Sequence, residues 1–230
     1  MTRVWYSFVN SGNVGQACKM PRRTSPFRAP FPRRLLVRIH LDLLKIDRCI
    51  TPWADFPDQL DIIEVMVLIS EDRRYFRHNG IDWKSIARVL LGFLRLRIHG
   101  GASTIDMQFV RTATGFYEKS VRRKLYEMLL ARIIQYKYSK IQILRSYLSI
   151  AYFGSGLYGV NKASVNALGV STYGVDIVGA AIIASMLVYP RPLAPDDKWL
   201  AKISRRSGYL LALYPSFKQR FEKLPRWDAV

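Results

Sequence analysis

Two adjacent carboxylates, Glu71 and Asp72, close an apolar run from Ile62 to Ile69, and cations, aromatics and His78 follow before Gly80. A carboxylate at the edge of an apolar wall is poised for a raised pKa, which a general acid or base working near neutral pH needs. Read alone, the segment is more simply an ordinary helix end with solvated charges, so its weight depends on what lies downstream. There, Arg123, Glu127, Leu130 and Ile134 recur at helical spacing and share one face. Lys119 joins them if the helix begins early enough. Glu127 is thus either one half of an i,i+4 pair worth about 0.2–0.5 kcal/mol, or a carboxylate held ionised beside an anion-binding row. Between 111 and 145, nine Lys and Arg stand against Glu118 and Glu127, a balance suited to phosphate.

Other chemistries find less support. His78 and His99 sit apart without metal-ligand spacing, so no metal held by histidines is expected. Cys18 and Cys49 form neither a disulfide framework nor a zinc site. The chain carries 36 Lys and Arg against 17 Asp and Glu, net +19 over 230 residues. Such an excess points to a polyanionic partner: nucleic acid, an anionic membrane or a phosphorylated substrate. No recognition motif accompanies the basic stretch, so nucleic acid is not expected. Half the residues are apolar, which excludes a disordered chain. No run of about 20 apolar residues signals a transmembrane helix, and no signal-peptide core is visible.

The elements that must position these groups read as helices. Residues 1–34 form a basic, Pro-rich arm, and Leu35 to Ile46 a short amphipathic helix; together, residues 1–50 precede a domain over 51–230. Residues 55–72 hold six acids and no Lys or Arg. Asp82 caps a helix from Trp83 to about Arg97, apolar over much of its circumference and basic elsewhere, suited equally to a core or to a membrane interface. Ser103-Thr-Ile-Asp106 and Ser139-Lys-Ile-Gln142 have the form of capping boxes. Ser120 opens a helix to about Tyr138. The helix after Ser139 runs to Phe153, where Gly154, Gly156 and Gly159 break it. A last helix covers about 197–213. Strand-like alternation is scarce, so the fold is expected to be mainly α.

Several stretches taken together resemble the peptidoglycan glycosyltransferases of family 51: monofunctional transglycosylases and the transglycosylase module of penicillin-binding proteins. The resemblance covers roughly 55–195. Glu71-Asp72-Arg-Arg-Tyr-Phe76-Arg-His78-Asn-Gly80 matches Glu-Asp-x-x-Phe-x-x-His-x-Gly. Gly101-Ala-Ser103-Thr104-Ile-Asp106-Met107-Gln108-Phe-Val-Arg111 is similar to Gly-Gly-Ser-Thr-Ile-Thr-Gln-Gln and its following lysine. Arg123-Lys124-Leu-Tyr-Glu127 matches Arg-Lys-x-x-Glu. Ile143 to Ser149 with Phe153 to Val160, and Ala180 to Pro190, resemble the fourth and fifth motifs.

This resemblance implies a lysozyme-like helical lobe and a small membrane-associated jaw, about 83–99. It implies polymerisation of lipid II onto a glycan carried on undecaprenyl pyrophosphate, with inversion. Glu71 and Glu127 would be catalytic, Glu71 as the general base. Asp72, Phe76, His78, Ser103, Thr104, Gln108, Arg111, Lys119, Arg123 and Lys124 would bind substrate. No organic cofactor is implied; a Mg or Mn ion could accompany the pyrophosphate. The partners would be the lipid-linked substrates, the membrane surface and cell-wall synthesis proteins, at the outer face of a bacterial inner membrane. The chain departs from the pattern at Asp106 and Met107 (Thr and Gln), Thr112 (Asn), Arg145 (Glu), Ser149 (Asn), Ala167-Leu168-Gly169-Val170 (Tyr-Phe-Gly-Lys) and Gly179 (Glu). Lys119 and Arg111 exchange one cation for another. These departures motivate an alternative, a family member that binds lipid-linked glycan or a cell-wall partner without polymerising it. A muramidase-like hydrolase and a basic helical nucleic-acid binder are the remaining readings.

Overall fold

The computed structural model describes residues 31–50, 60–94, 103–118 and 120–222. Among these residues the chain is mainly helical, as expected. The elements are α1 (Phe31–Ile50), α2 (Ile62–Glu71), α3 (Trp83–Leu94), α4 (Ile105–Thr114), α5 (Val121–Ile134), α6 (Lys140–Ile150), β1 (Tyr152–Gly154), β2 (Leu157–Tyr158), α7 (Val160–Leu168), α8 (Ile177–Met186) and α9 (Asp197–Glu222). Short 3-10 turns lie at Tyr75–Arg77 and Thr172–Gly174.

Helix α8 is apolar on all sides, and such a helix belongs inside. It is buried through Ala180, Ala181, Ile183, Ala184 and Met186 and packs against α2 and α9. Helix α2 buries Ile63, Met66, Val67, Leu68 and Ile69. Its start is held by a capping box, Asp61 and Glu64, with Glu64 Oε2 accepting from the Asp61 N–H at 2.8 Å. On the other side α4 packs on α5 and α6, and α1 lies across all three. The C-terminal end of α2 and the start of α4 thereby converge on one place, and that is where the carboxylates of the first motif stand.

Four helix boundaries differ from expectation. Helix α5 stops at Ile134, short of Tyr138. Helix α1 runs from Phe31 to Ile50 and packs into the core through Ile46 and Ile50. Helix α6 ends at Ile150, because Ala151 to Tyr158 turns into a hairpin. That hairpin is tied to the chain after α8: Ser155 N–H donates to Arg191 O, and Arg191 N–H to Phe153 O, both at 2.8 Å. Helix α9 continues past Pro215 to Glu222.

At α4 the cap is Thr104, not Ser103. The Thr104 hydroxyl oxygen accepts from Met107 N–H at 3.3 Å and its proton goes to Gly80 O at 2.7 Å. Ser103 Oγ turns instead to Lys124, accepting from Nζ at 2.7 Å. Residues 1–30 of the basic arm, Cys18, the 95–99 end of the jaw segment with His99, and Lys119 lie outside the described residues.

Candidate active site

Glu71 is the last residue of α2 and half-buried. Its two oxygens are held separately. Ser70 Oγ donates to Oε1 at 3.0 Å, and Gln108 Nε2, from α4, donates to Oε2 at 3.2 Å. The Gln108 amide is itself oriented, because its Oε1 accepts from the Tyr147 hydroxyl at 2.8 Å. Burial, and then the Glu71 charge, hold the Tyr147 phenol far above its ordinary pKa, so it stays a donor. Tyr147 on α6, Gln108 on α4 and Glu71 on α2 thus form one chain of hydrogen bonds joining three motifs. Helix α9 closes the far side, where Arg206 Nη2 donates to Ser70 Oγ at 3.0 Å.

Asp72 points the other way, into the protein, and is 7% exposed. His78 Nε2 lies 3.2 and 3.0 Å from its two oxygens, and the Ile105 N–H donates to Oδ2 at 3.2 Å. Asp72 therefore clips the end of α2 to the first residue of α4, which fixes the approach of Gln108 to Glu71. On the other side of the His78 ring, Nδ1 is 3.9 Å from Asp106 Oδ2 and makes no hydrogen bond.

Asp106 is fully buried. It accepts from Lys140 Nζ at 2.9 and 3.2 Å and from Gln135 Nε2. Burial raises its pKa against the pull of Lys140 and His78, and burial equally lowers that of Lys140. Lys140 also sits 4.2 Å over the Tyr75 ring. Asp72, His78 and Asp106 bring three ligand-capable atoms within 4.8 Å of one another. The Lys140 ammonium already supplies a positive charge there.

A cationic cluster surrounds Glu127, which is 2% exposed. Arg123 Nε lies 3.6 Å from its Oε1 and Lys124 Nζ 3.7 Å from its Oε2. Burial raises the Glu127 pKa, partly offset by Lys124, Arg123 and Arg111. Burial lowers that of Lys124. Arg111, in the last turn of α4, acts electrostatically on Glu127 and Lys124 and also on Tyr147. Its charge therefore reaches the Glu127 cluster and the Tyr147 end of the chain that leads to Glu71.

The structure thus brings Glu71 and Gln108 together, and groups Glu127, Arg123, Lys124, Ser103 and Arg111. It places Asp72, His78 and Thr104 inside, as the joints between α2, α4 and the Gly80 turn. Phe76 packs edge-on against Tyr75, with centroids 5.2 Å apart. Ser70, Tyr147, Asp106, Lys140 and Arg206 take part without having been singled out as site residues. Tyr147 stands at a quoted motif position, but nothing local marks its hydroxyl as a donor to residue 108.

The departures at Arg145, Leu168 and Gly179 have visible neighbours. Arg145 Nε donates to Glu64 Oε1 at 2.7 Å. Gly179 receives a neighbour in place of a side chain: a Cβ there would lie 2.8 Å from Leu168 Cδ1 and 3.1 Å from Asp176 Oδ1. The residues that differ at 168 and 179 therefore touch each other.

A family model described as transglycosylase matches residues 42–214. The biosynthetic peptidoglycan transglycosylase of Rhizobium meliloti is 34% identical over 108 residues, 47% of this chain and 46% of that protein. The monofunctional glycosyltransferase of Staphylococcus haemolyticus is 32% identical over 123 residues, 54% of this chain and 46% of that one. Penicillin-binding protein 2a of Streptococcus pneumoniae (strain D39 / NCTC 7466) is 39% identical over 108 residues, 14% of its length. The chain spans half the length or less of these relatives.

Proposed function

The chain belongs to the transglycosylase family, and on that premise we propose that it polymerises lipid II into glycan strands. Glu71 takes the proton of the acceptor sugar's 4-hydroxyl. The freed oxygen forms a bond to the donor's anomeric carbon as the bond from that carbon to the lipid pyrophosphate breaks, with inversion. The observation that carries this reading is the chain Tyr147–Gln108–Glu71. It leaves a half-buried carboxylate with fixed oxygens at the junction of α2 and α4. A general base in such a position contributes about 10²–10⁴-fold in rate.

The leaving group carries concentrated negative charge, and fixed cations stabilise charge where it develops. Arg111, Lys119, Arg123 and Lys124 hold it. Glu127 keeps that cluster in place through both Arg123 and Lys124. Glu127 Oε1 is buried without a hydrogen bond, but Arg123 Nε lies 3.6 Å from it and Lys124 Nζ 3.7 Å from Oε2, so these residues do not form a Mg or Mn site by themselves; a divalent cation would be held by the pyrophosphate oxygens. Such an ion would supply further neutralisation of the pyrophosphate.

The enzyme works at the outer face of the cytoplasmic membrane. Helix α3, the described part of the jaw, presents Trp83 and Leu91, 64% and 53% exposed, with Lys84 and Arg88 also exposed. An amphipathic helix of this kind suits a lipid interface. Among the described residues no helix is long and apolar enough to cross a membrane.

The test is a polymerisation assay on purified lipid II in detergent, comparing the native chain with Glu71→Gln. Glycan strands are expected from the native chain and not from the variant. No product from a folded native chain that still binds lipid II would instead identify a non-polymerising binder.

A further inference from the structure

Beside the turn that follows Asp72 lies an open concavity of ≈ 490 Å³ whose lining includes His78 but none of Glu71, Gln108, Arg111, Arg123, Lys124 and Glu127. Its wall includes Arg74, Arg77, Lys84 and Arg132, with Asn79 and the largely exposed Trp83. Asp82 is the one carboxylate of that lining, and it is already engaged. Arg74 Nε is 3.0 Å from its Oδ2, Ser85 Oγ donates to the same oxygen at 2.6 Å, and Oδ1 caps α3 through the Lys84 and Ser85 N–H groups. Among the described residues, no acid pairs with Arg77, Lys84 or Arg132. Three cations therefore face one concavity without counter-charge.

The concavity is built by backbone geometry. Gly80, at φ +84°, lets the 77–84 loop press onto α5, where a Cβ at position 80 would lie 2.3 Å from Ala131 O. Thr104 pins the turn by donating to Gly80 O. The loop is thereby locked beside Arg132, the residue after Ala131, whose guanidinium lies 4.9 Å over the Tyr136 ring. The turn thereby brings Arg77 and Lys84 to the same concavity as Arg132, where an anion would be attracted by all three.

We propose that this cavity is a second anion site that takes a multiply charged phosphate group, separate from the Glu71 cleft. Charge matching selects the class. Three unpaired cations are balanced by a diphosphate or a pair of phosphodiesters, whereas a single carboxylate balances one. Arginine suits phosphate through paired N–H donors. The indole of Trp83 gives the organic part of the ligand an apolar seat.

Two sources share that chemistry, an anionic lipid headgroup and a soluble phosphate compound, and the experiment separates them. Inorganic pyrophosphate binding is measured by calorimetry. Sedimentation is measured with phosphatidylcholine vesicles with and without phosphatidylglycerol. The pocket variant R77Q/R132Q is compared with K202Q/R205Q, which removes the same charge from exposed positions on α9, and with R123Q in the cleft. Near-UV circular dichroism confirms folding of each.

At least a tenfold loss in pyrophosphate affinity in R77Q/R132Q, with R123Q and K202Q/R205Q retaining binding at this site, supports a soluble ligand. A tenfold loss confined to phosphatidylglycerol vesicles supports a lipid headgroup. A pocket variant that matches the α9 control with both probes overturns the proposal, as does loss of all pyrophosphate binding in R123Q. None of these readouts depends on lipid II polymerisation.

Discussion

Gln108 Nε2 donates to Glu71 Oε2 at 3.2 Å across 37 residues of sequence, so the second motif holds the carboxylate proposed as the base in the first. The pair makes a kinetic prediction. Glu71→Gln should lower the rate of glycan synthesis by about 10²–10⁴-fold, the range of a lost general base. Gln108→Ala should keep Glu71 and lower kcat about tenfold, the worth of one hydrogen bond to a charged group. Tyr147→Phe, which frees the Gln108 amide, should act in the same direction and less than additively with Gln108→Ala. Steady-state polymerisation rates on lipid II check all three; equal rates in native and Gln108→Ala chains would remove Gln108 from the mechanism.

The Gly80 turn should tolerate no side chain. Its φ is +84°, and a Cβ would meet Ala131 O at 2.3 Å, backbone against backbone. Gly80→Ala is expected to cost at least about 2 kcal/mol, the left-handed penalty of roughly 1–2 kcal/mol plus the clash. Urea denaturation measures this as a lowered midpoint at unchanged slope.

Arg145 and Glu64 should behave as a coupled buried pair. Burial raises the Glu64 pKa against the pull of Arg145, so the carboxylate depends on that guanidinium. Arg145→Met should cost about 3 kcal/mol by leaving a buried charge without its partner, and the double change with Glu64→Gln should cost less than the sum. Arg145→Glu, which places the resembling family's residue here, should be worse still. A double-mutant cycle by denaturation gives the coupling energy, and a value near zero would refute the pairing.

Asp82 should contribute a defined pH dependence. Burial pushes its pKa up, but hydrogen bonds from Ser85 and the charges of Arg74 and His78 prevail, and the net shift is downward. A depressed carboxylate adds stability that is present above its unfolded pKa, near 3.8, and lost as pH falls through the lower folded value. The stability difference between native and Asp82→Asn chains should therefore favour the native chain above pH 4 and shrink below it. Denaturation at a series of pH values tests the sign.

Much of the local structure was legible in the residue order. Ser139 with Gln142 forms the capping box that its spacing announces, and Ser120 caps α5. Asp82 accepts from the first N–H groups of α3. Such features need only hydrogen bonds between residues a few positions apart, and their geometry is set by the helix itself. Glu71 was readable as a candidate base from its place at the end of an apolar run, once the downstream motifs were set beside it. The expected capping box at 103–106 failed because long-range partners won. Lys124 engaged Ser103 and Gly80 engaged Thr104, while Lys140 and Gln135 drew Asp106 inward.

By itself, then, the sequence determined a mainly helical chain, the caps of α3, α5 and α6, and two acids among cations in a family's order. Only the tertiary structure decided that Glu71 faces Gln108 while its neighbour Asp72 turns inward to His78 and Ile105. It also decided that Arg145 answers Glu64, and that the Gly80 turn rests on Ala131 beside Arg132. Those relationships join helices whose approach depends on burying α2 and α8 together. A hydrogen bond across 37 or 81 residues forms only after that packing has brought its partners within reach.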